Sequence, residues 1–168
     1  MDLILWRHAD AGEPLDDPLH DLQRKLSGKG EKQAARVADW LNRFLPDSTR
    51  VLVSPAQRCQ QTAQALGRKF QTREALGPGG SVGTLLTLAR WPDRREPVLV
   101  VGHQPTLGMT AALLMAGAQA TAEAERSDTP HQTPAWSVRK GAVWWLRHRE
   151  RAGVVDVVLV SVRSPDNL

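Results

Sequence analysis

The chain has 168 residues, enough for one domain with its own core, and is 41% hydrophobic and 24% charged. No apolar run approaches the ~20 residues needed to span a bilayer, and a lone cysteine, Cys59, excludes an intrachain disulfide. The formal charge of +4 suits an anionic ligand or an acidic partner.

There is no zinc-finger spacing and no long basic tract. Tyrosine is absent and there are only two phenylalanines, which argues against nucleic acid as a partner. Asp2 and the missing basic n-region argue against an export leader, so a cytoplasmic location is expected. Cys59 reads as a small buried hydrophobe, and the six tryptophans as core or half-buried residues.

The run Asp2–Arg7 reads as a buried strand that stops at Arg7-His8. Residues 8–26 hold Gly, Pro and Asp and read as a long loop, a type of segment that is often functional. Ser27 is placed to cap a helix running to about Leu45, with Ala34, Val37, Ala38, Leu41 and Phe44 at helical spacing. Arg50–Val53 is a second strand. Ser54-Pro55 then reads as a helix start, a serine cap with proline at the first helical position, and the helix is expected to reach about Phe70.

A short third strand is expected near Thr72–Leu76. The loop Gly77–Gly80 follows, then a helix from Ser81 or Val82 to about Arg90. Pro97–Val101 is a buried strand, and Gly102-His103-Gln104-Pro105 turns into a helix through Met115. Residues 117–135 are expected to form a mobile loop. Ala142–Arg147 and Val154–Val162 close the chain as a hairpin turning at Gly153. The order predicts an α/β three-layer sandwich: a central mixed, mainly parallel sheet flanked by helices, in a single domain over residues 1–168.

In open α/β sheets ligands lie beyond the carboxyl ends of the strands. Three strand ends carry matching chemistry here: Arg7-His8, Ser54-Pro55 with Arg58 just inside the next helix, and Gly102-His103. Two histidines, two arginines and two helix starts directed at one edge suit a tetrahedral dianion, with phosphate the obvious candidate.

The stretches "LWRHAD", "VLVSPAQRCQQTA" and "VLVVGHQPTLG" resemble the signatures of the histidine phosphatase superfamily, in order, spacing and context. The short length and "DLQRKLSGKG" resemble its small single-domain bacterial branch, the SixA-type phosphohistidine phosphatases. The resemblance implies a phosphoglycerate mutase-like fold, His8 as nucleophile, and Arg7, Arg58 and His103 as the phosphate-binding shell. It implies Arg24 as a substrate contact at the pocket mouth. Ala9 stands where the family motif usually has glycine, and Lys25 where the branch often has proline.

A histidine nucleophile needs a neutral ring nitrogen, and two guanidinium groups beside it lower its pKa. Attack on phosphorus gives a phosphohistidine enzyme, which water then hydrolyses. Arginine suits the phosphoryl oxygens, and a protonated His103 would add charge to them. A phosphomonoester also needs a proton donor. The stretch Ala75–Pro92 contains no Asp or Glu, so the candidates are Asp10, equally readable as a loop cap or salt-bridge partner, and Glu74, more readily a strand-end charge.

Phosphoimidazole leaves more easily and needs less acid help, so the bare loop favours a phosphohistidine-bearing protein as partner. The alternatives are a small phosphorylated substrate with Asp10 or Glu74 as acid, or a non-catalytic phosphate- or phosphoprotein-binding module. A phosphoglycerate mutase role is disfavoured by the short chain and bare loop. A metal site from His8, Asp10, His20 and Asp21 is disfavoured for want of ligand spacing. No cofactor, membrane or nucleic acid is implied, and a monomer is expected. His20, His131 and His148 read as structural or exposed, and Lys140 as a solvated strand-end lysine more readily than a pocket residue.

Overall fold

The computed structural model describes residues 1–125 and 136–168, with side-chain environments for 1–116 and 136–168. Asp2–Arg7 forms β1, and every side chain from Leu3 to Trp6 is fully buried. A strand buried on both faces reads as a continuous apolar run because helices cover both sides of a parallel sheet. β2 (Arg50–Val53), β3 (Gln71–Thr72) and β4 (Val98–Gly102) run parallel with it, while β5 (Val143–Arg151) and β6 (Val154–Arg163) are antiparallel. The sheet order is β3-β2-β4-β1-β5-β6.

Alternation along β1 divides the core into two layers. Ile4 and Trp6 pack with α2 (Gly28–Phe44) and α3 (Gln57–Gln64) through Val37, Leu41, Cys59 and Ala63. Leu3 and Leu5 face α4 (Val82–Ala89) and α5 (Thr106–Glu125) through Leu85, Ala89, Leu107 and Ala111. The result is the expected three-layer α/β sandwich, with β1 and β4 at its centre.

Ser27 caps α2, its hydroxyl accepting the Gly30 N–H at 3.0 Å. The close approach of this helix start to the loop after β1 requires glycine: a Cβ at Gly30 would lie 1.9 Å from the Asp10 carbonyl oxygen.

The structure departs from the sequence reading at several places. The 8–26 segment contains a short helix, α1 (Pro18–Leu22), capped by Asp17. α3 begins at Gln57 rather than at Pro55, because the Ser54 hydroxyl turns to His103, and it ends at Gln64 rather than near Phe70. Glu74 lies in a 3-10 turn, Glu74–Leu76, and not in a strand. α5 continues through residues 117–125, which were expected to belong to a mobile loop; alanine-rich composition there serves a helix equally well. The rest of that loop, with His131, lies outside the described residues. The closing hairpin is present and longer, β5 reaching Arg151, with Ala152 and Gly153 both at positive φ (50° and 77°) as a two-residue primed turn demands.

Candidate active site

Arg7 pairs with Gly102 in the β1–β4 register, so the residues that follow each, His8 and His103, leave the sheet side by side. Their ring centroids are 5.3 Å apart. Arg58, from the first turn of α3, lines the same cavity with Arg7, His8, His103, Asp21 and Arg24, in a volume of about 180 Å³. The four residues singled out at the strand ends are therefore brought together.

The acceptor that sets the His8 tautomer, not identifiable in the sequence, is the neighbouring carbonyl of Ala9, 2.8 Å from Nδ1. A carbonyl only accepts, so Nδ1 carries the hydrogen and Nε2 keeps its lone pair. Burial, with the charges of Arg58, Arg7 and Arg24 adding to it, holds the His8 pKa down to about 4. A neutral nucleophilic nitrogen at neutral pH is the consequence. His103 is also held down, to about 3, by burial and then by His8 and Arg58. At neutral pH the ring is neutral, where the sequence reading considered a protonated form acting on a bound phosphoryl group.

The guanidinium groups are partly committed to backbone bonds. Arg7 Nη1 donates to the Val138 carbonyl at 2.7 Å, and Arg58 Nη1 to the Asp21 carbonyl at 2.7 Å. The Nε of both is buried and unpaired among the described residues. Arg73 and Arg94, which do not line the cavity, share this feature, so what sets Arg7 and Arg58 apart is their place in the cavity wall.

Sequence reasoning missed the role of Asp21. Its carboxylate meets Arg58 Nη2 at 3.1 Å and Arg24 Nε at 2.8 Å. Although burial works against ionisation, the Arg24 and Leu15 hydrogen bonds and the Arg58 charge hold its pKa down to about 2. The signal in the sequence was the i, i+3 spacing to Arg24. Arg24 lines the cavity mouth, but its guanidinium is spent on Asp21 and on the carbonyls of Ala11 (2.7 Å) and Gly12 (3.2 Å). It braces the loop as well as facing the cavity.

Asp10, a candidate acid in the sequence, is tied to Ser27 Oγ at 2.6 Å and Lys140 Nζ at 2.9 Å. These hold its pKa down to about 2, so it is the salt-bridge partner that the sequence allowed as its other reading. Lys140 is correspondingly not a free solvated lysine: it pairs with Asp10 and lines the cavity. Glu74 is exposed and does not line the cavity. His20 is exposed and pairs with Asp17 on α1, and His148 packs edge-on against Trp91. Among the described residues no three of His, Cys, Asp and Glu gather at metal-binding distance, so His8, Asp10, His20 and Asp21 do not form a metal centre. Cys59 is fully buried behind His103, with burial pushing its thiol up to about 12.

A central parallel sheet with two histidines and two arginines converging at its carboxyl edge defines a phosphoryl-handling α/β enzyme. A family model described as histidine phosphatase superfamily (branch 1) matches residues 3–77. An uncharacterised protein of Picosynechococcus is 36% identical over 124 residues, 70% of this chain and 74% of that one. The phosphohistidine phosphatase SixA of Escherichia coli is 30% identical over 125 residues, 70% of this chain and 76% of that one. A solved structure from Nakamurella multipartitia, provisionally assigned as a SixA phosphohistidine phosphatase, superposes with a TM-score of 0.72 at 27% identity, covering 98% of this chain and 95% of that one. The chain belongs to the histidine phosphatase superfamily and is a SixA-like phosphatase of that family. Among the described residues no helix is long and apolar enough to cross a membrane.

Proposed function

We propose that the chain removes phosphate from phosphohistidine on a protein, without a metal ion, through a phosphorylated His8. The observation that carries this reading is the state of the carboxylates. Asp21 is the one carboxylate among the described residues lining the cavity, and it is held ionised by two arginines. Asp10, outside the lining, is held ionised too. A site without a proton donor is poorly suited to expelling an alkoxide.

Phosphoimidazole brings its own proton. With its second ring nitrogen protonated, breaking the P–N bond releases a neutral imidazole and needs no donor at the bridging atom. His8 Nε2 forms the new P–N bond in line while that bond breaks. The Nδ1 hydrogen, held on the Ala9 carbonyl, gives the phosphoenzyme the same property. Water then attacks phosphorus, its proton passes to solvent, phosphate leaves, and His8 returns neutral. Arg7, Arg58 and His103 stabilise the transferring oxygens.

We propose that residues 1–168 act as one domain and as a monomer, in a reducing cytoplasmic compartment, in keeping with the lone buried thiol. Rapid quench with a labelled phosphohistidine peptide and with a phosphomonoester, on wild type and His8→Ala, tests the reading. An acid-labile, base-stable label on wild type alone, with the peptide turned over faster, is expected. Faster monoester turnover would transfer the assignment to a small-molecule substrate, and label in the variant would remove His8 as nucleophile.

A further inference from the structure

We propose that a basic groove beside the active site docks an acidic segment of the phosphorylated protein; this rests on the phosphohistidine reading above. The groove has a volume of about 370 Å³ and is lined by Lys29, Lys32, Gln33 and Arg36 of α2 and by Pro165 and Asp166 near the C-terminus.

Its charge is not neutralised from within. Around the active site three of the four basic side chains are paired, Arg58 and Arg24 with Asp21 and Lys140 with Asp10, and Arg7 alone meets a carbonyl instead. By contrast, among the described residues Lys29, Lys32 and Arg36 meet no carboxylate within 4.0 Å. Asp166, the one acid in the lining, is itself engaged by Arg139 at 3.8 Å. Arg36 is fixed in place by donating from Nη1 to the Pro165 carbonyl at 2.8 Å, so its charge is held at the groove.

The placement of Lys29 and Lys32 is not explained by the helix that carries them. Both sit near the positive end of α2, where basic side chains oppose the macrodipole. Glu31 in the same turn meets the dipole's demand for an acid, so the two lysines answer to something other than the helix.

The groove is also linked to the wall of the catalytic cavity through hydrogen bonds. The Gln33 amide oxygen accepts the Asp10 N–H at 3.0 Å, and Asp10 in turn holds Lys140, which lines that cavity. One polar chain, Gln33–Asp10–Lys140, thus separates the two recesses. From Lys29 to Arg36 the basic row spans about 10 Å of helix, the reach of about two helical turns or three extended residues of a partner. Exposed lysines around an open groove suit carboxylates on a macromolecule, which bring several charges at once, better than a single small anion.

The test uses three synthetic phosphohistidine peptides, identical except for flanks of Glu, Gln or Lys, with phosphoramidate as a substrate that cannot reach the groove. Wild type is expected to turn over the Glu-flanked peptide with a kcat/KM about tenfold above the Gln-flanked one, the Lys-flanked one slowest, and the spread shrinking at high salt. Lys29→Glu/Lys32→Glu is expected to abolish or invert the order while leaving phosphoramidate turnover unchanged. An order that survives the double substitution, or no order in wild type, would overturn the proposal. Binding of the unphosphorylated Glu-flanked peptide, by fluorescence anisotropy, keeps the two readings apart. If no phosphohistidine peptide is turned over yet this binding is present and lost in the double variant, the substrate reading fails and the groove stands. Inhibition by single-stranded DNA at lower concentration than by the acidic peptide, lost in the double variant, would give the groove to nucleic acid and overturn the acidic-protein assignment.

Discussion

Asp21 holds Arg58 twice, its carboxylate at 3.1 Å from Nη2 and its carbonyl accepting from Nη1 at 2.7 Å. The first contact competes with a bound phosphoryl group for the same guanidinium; the second does not, because it leaves the charge unspent. Asp21→Asn removes the competitor and keeps the backbone anchor. Inorganic phosphate is expected to inhibit the variant at roughly fivefold lower concentration, the size of an ion-pair contribution near 1 kcal/mol. Competitive inhibition measured on wild type and variant checks this. Weaker inhibition of the variant would mean that the carboxylate orients Arg58 more than it opposes the substrate.

Protonating His8 Nε2 would abolish the proposed nucleophile. Its pKa is held down to about 4, so kcat/KM is expected to stay level from neutral pH to about pH 5 and to fall only as pH approaches 4. Arg24→Gln removes one of the charges responsible, so the acid limb should move to higher pH. Initial rates across pH 3.5–8 with an acid-stable substrate analogue measure both. A wild-type inflection near 6.5, the ordinary histidine value, would contradict the buried neutral ring.

The same two rings impose a stability profile. In the folded chain His8 and His103 titrate near 4 and 3, but in the unfolded chain near 6.5. Between those values the unfolded state binds protons that the folded state does not, so stability declines as pH falls from about 6.5 towards 4. The loss amounts to several kcal/mol in total, because within that window each ring costs on the order of 1.4 kcal/mol for every tenfold rise in proton concentration. Denaturant unfolding at pH 7, 6, 5 and 4 should show this slope, and His103→Asn should reduce it. Asp10 and Asp21, held near 2, add a further loss only below about pH 4.

Ser54 is fully buried, with Oγ accepting the Ala56 N–H at 3.2 Å and lying 2.7 Å from His103 Nε2. Its hydroxyl holds a ring that lines the cavity. Ser54→Ala is expected to lower kcat/KM by about tenfold to a hundredfold through misplacement of His103, and to cost about 1–2 kcal/mol for the freed N–H. Steady-state kinetics together with thermal unfolding separate the two effects. Unchanged kinetics in a destabilised variant would leave Ser54 a purely structural residue.

The sheet and the four residues at its edge were legible because strands buried on both faces announce themselves as apolar runs, and charged residues at their ends stand out. The first strand shows this most clearly: Leu3 to Trp6 has no solvent face to encode, so Arg7 and His8 mark its end. What was hidden depends on single atoms rather than on patterns. The Ala9 carbonyl that sets the His8 tautomer has no side-chain signature at all. Ser54 looked like a helix cap because serine before proline is a cap signal, yet its hydroxyl serves His103. Asp21 sits in a polar segment, read as loop but folded as α1, where carboxylates are common, and only the fold shows which arginines it meets. The second half of α5 was not legible as helix because its alanine-rich sequence carries no amphipathic period.

β1 comes first in sequence order, yet it lies between β4 and β5, which begin at residues 98 and 143. Residues 2–7 therefore take both their strand partners from far along the chain, and the setting of the ring at position 8 depends on them. Removing β5 is therefore expected to unseat the His8 ring while leaving residue 8 in the chain, because Trp6 pairs with Val143 and the Arg7 N–H donates to the Ala142 carbonyl.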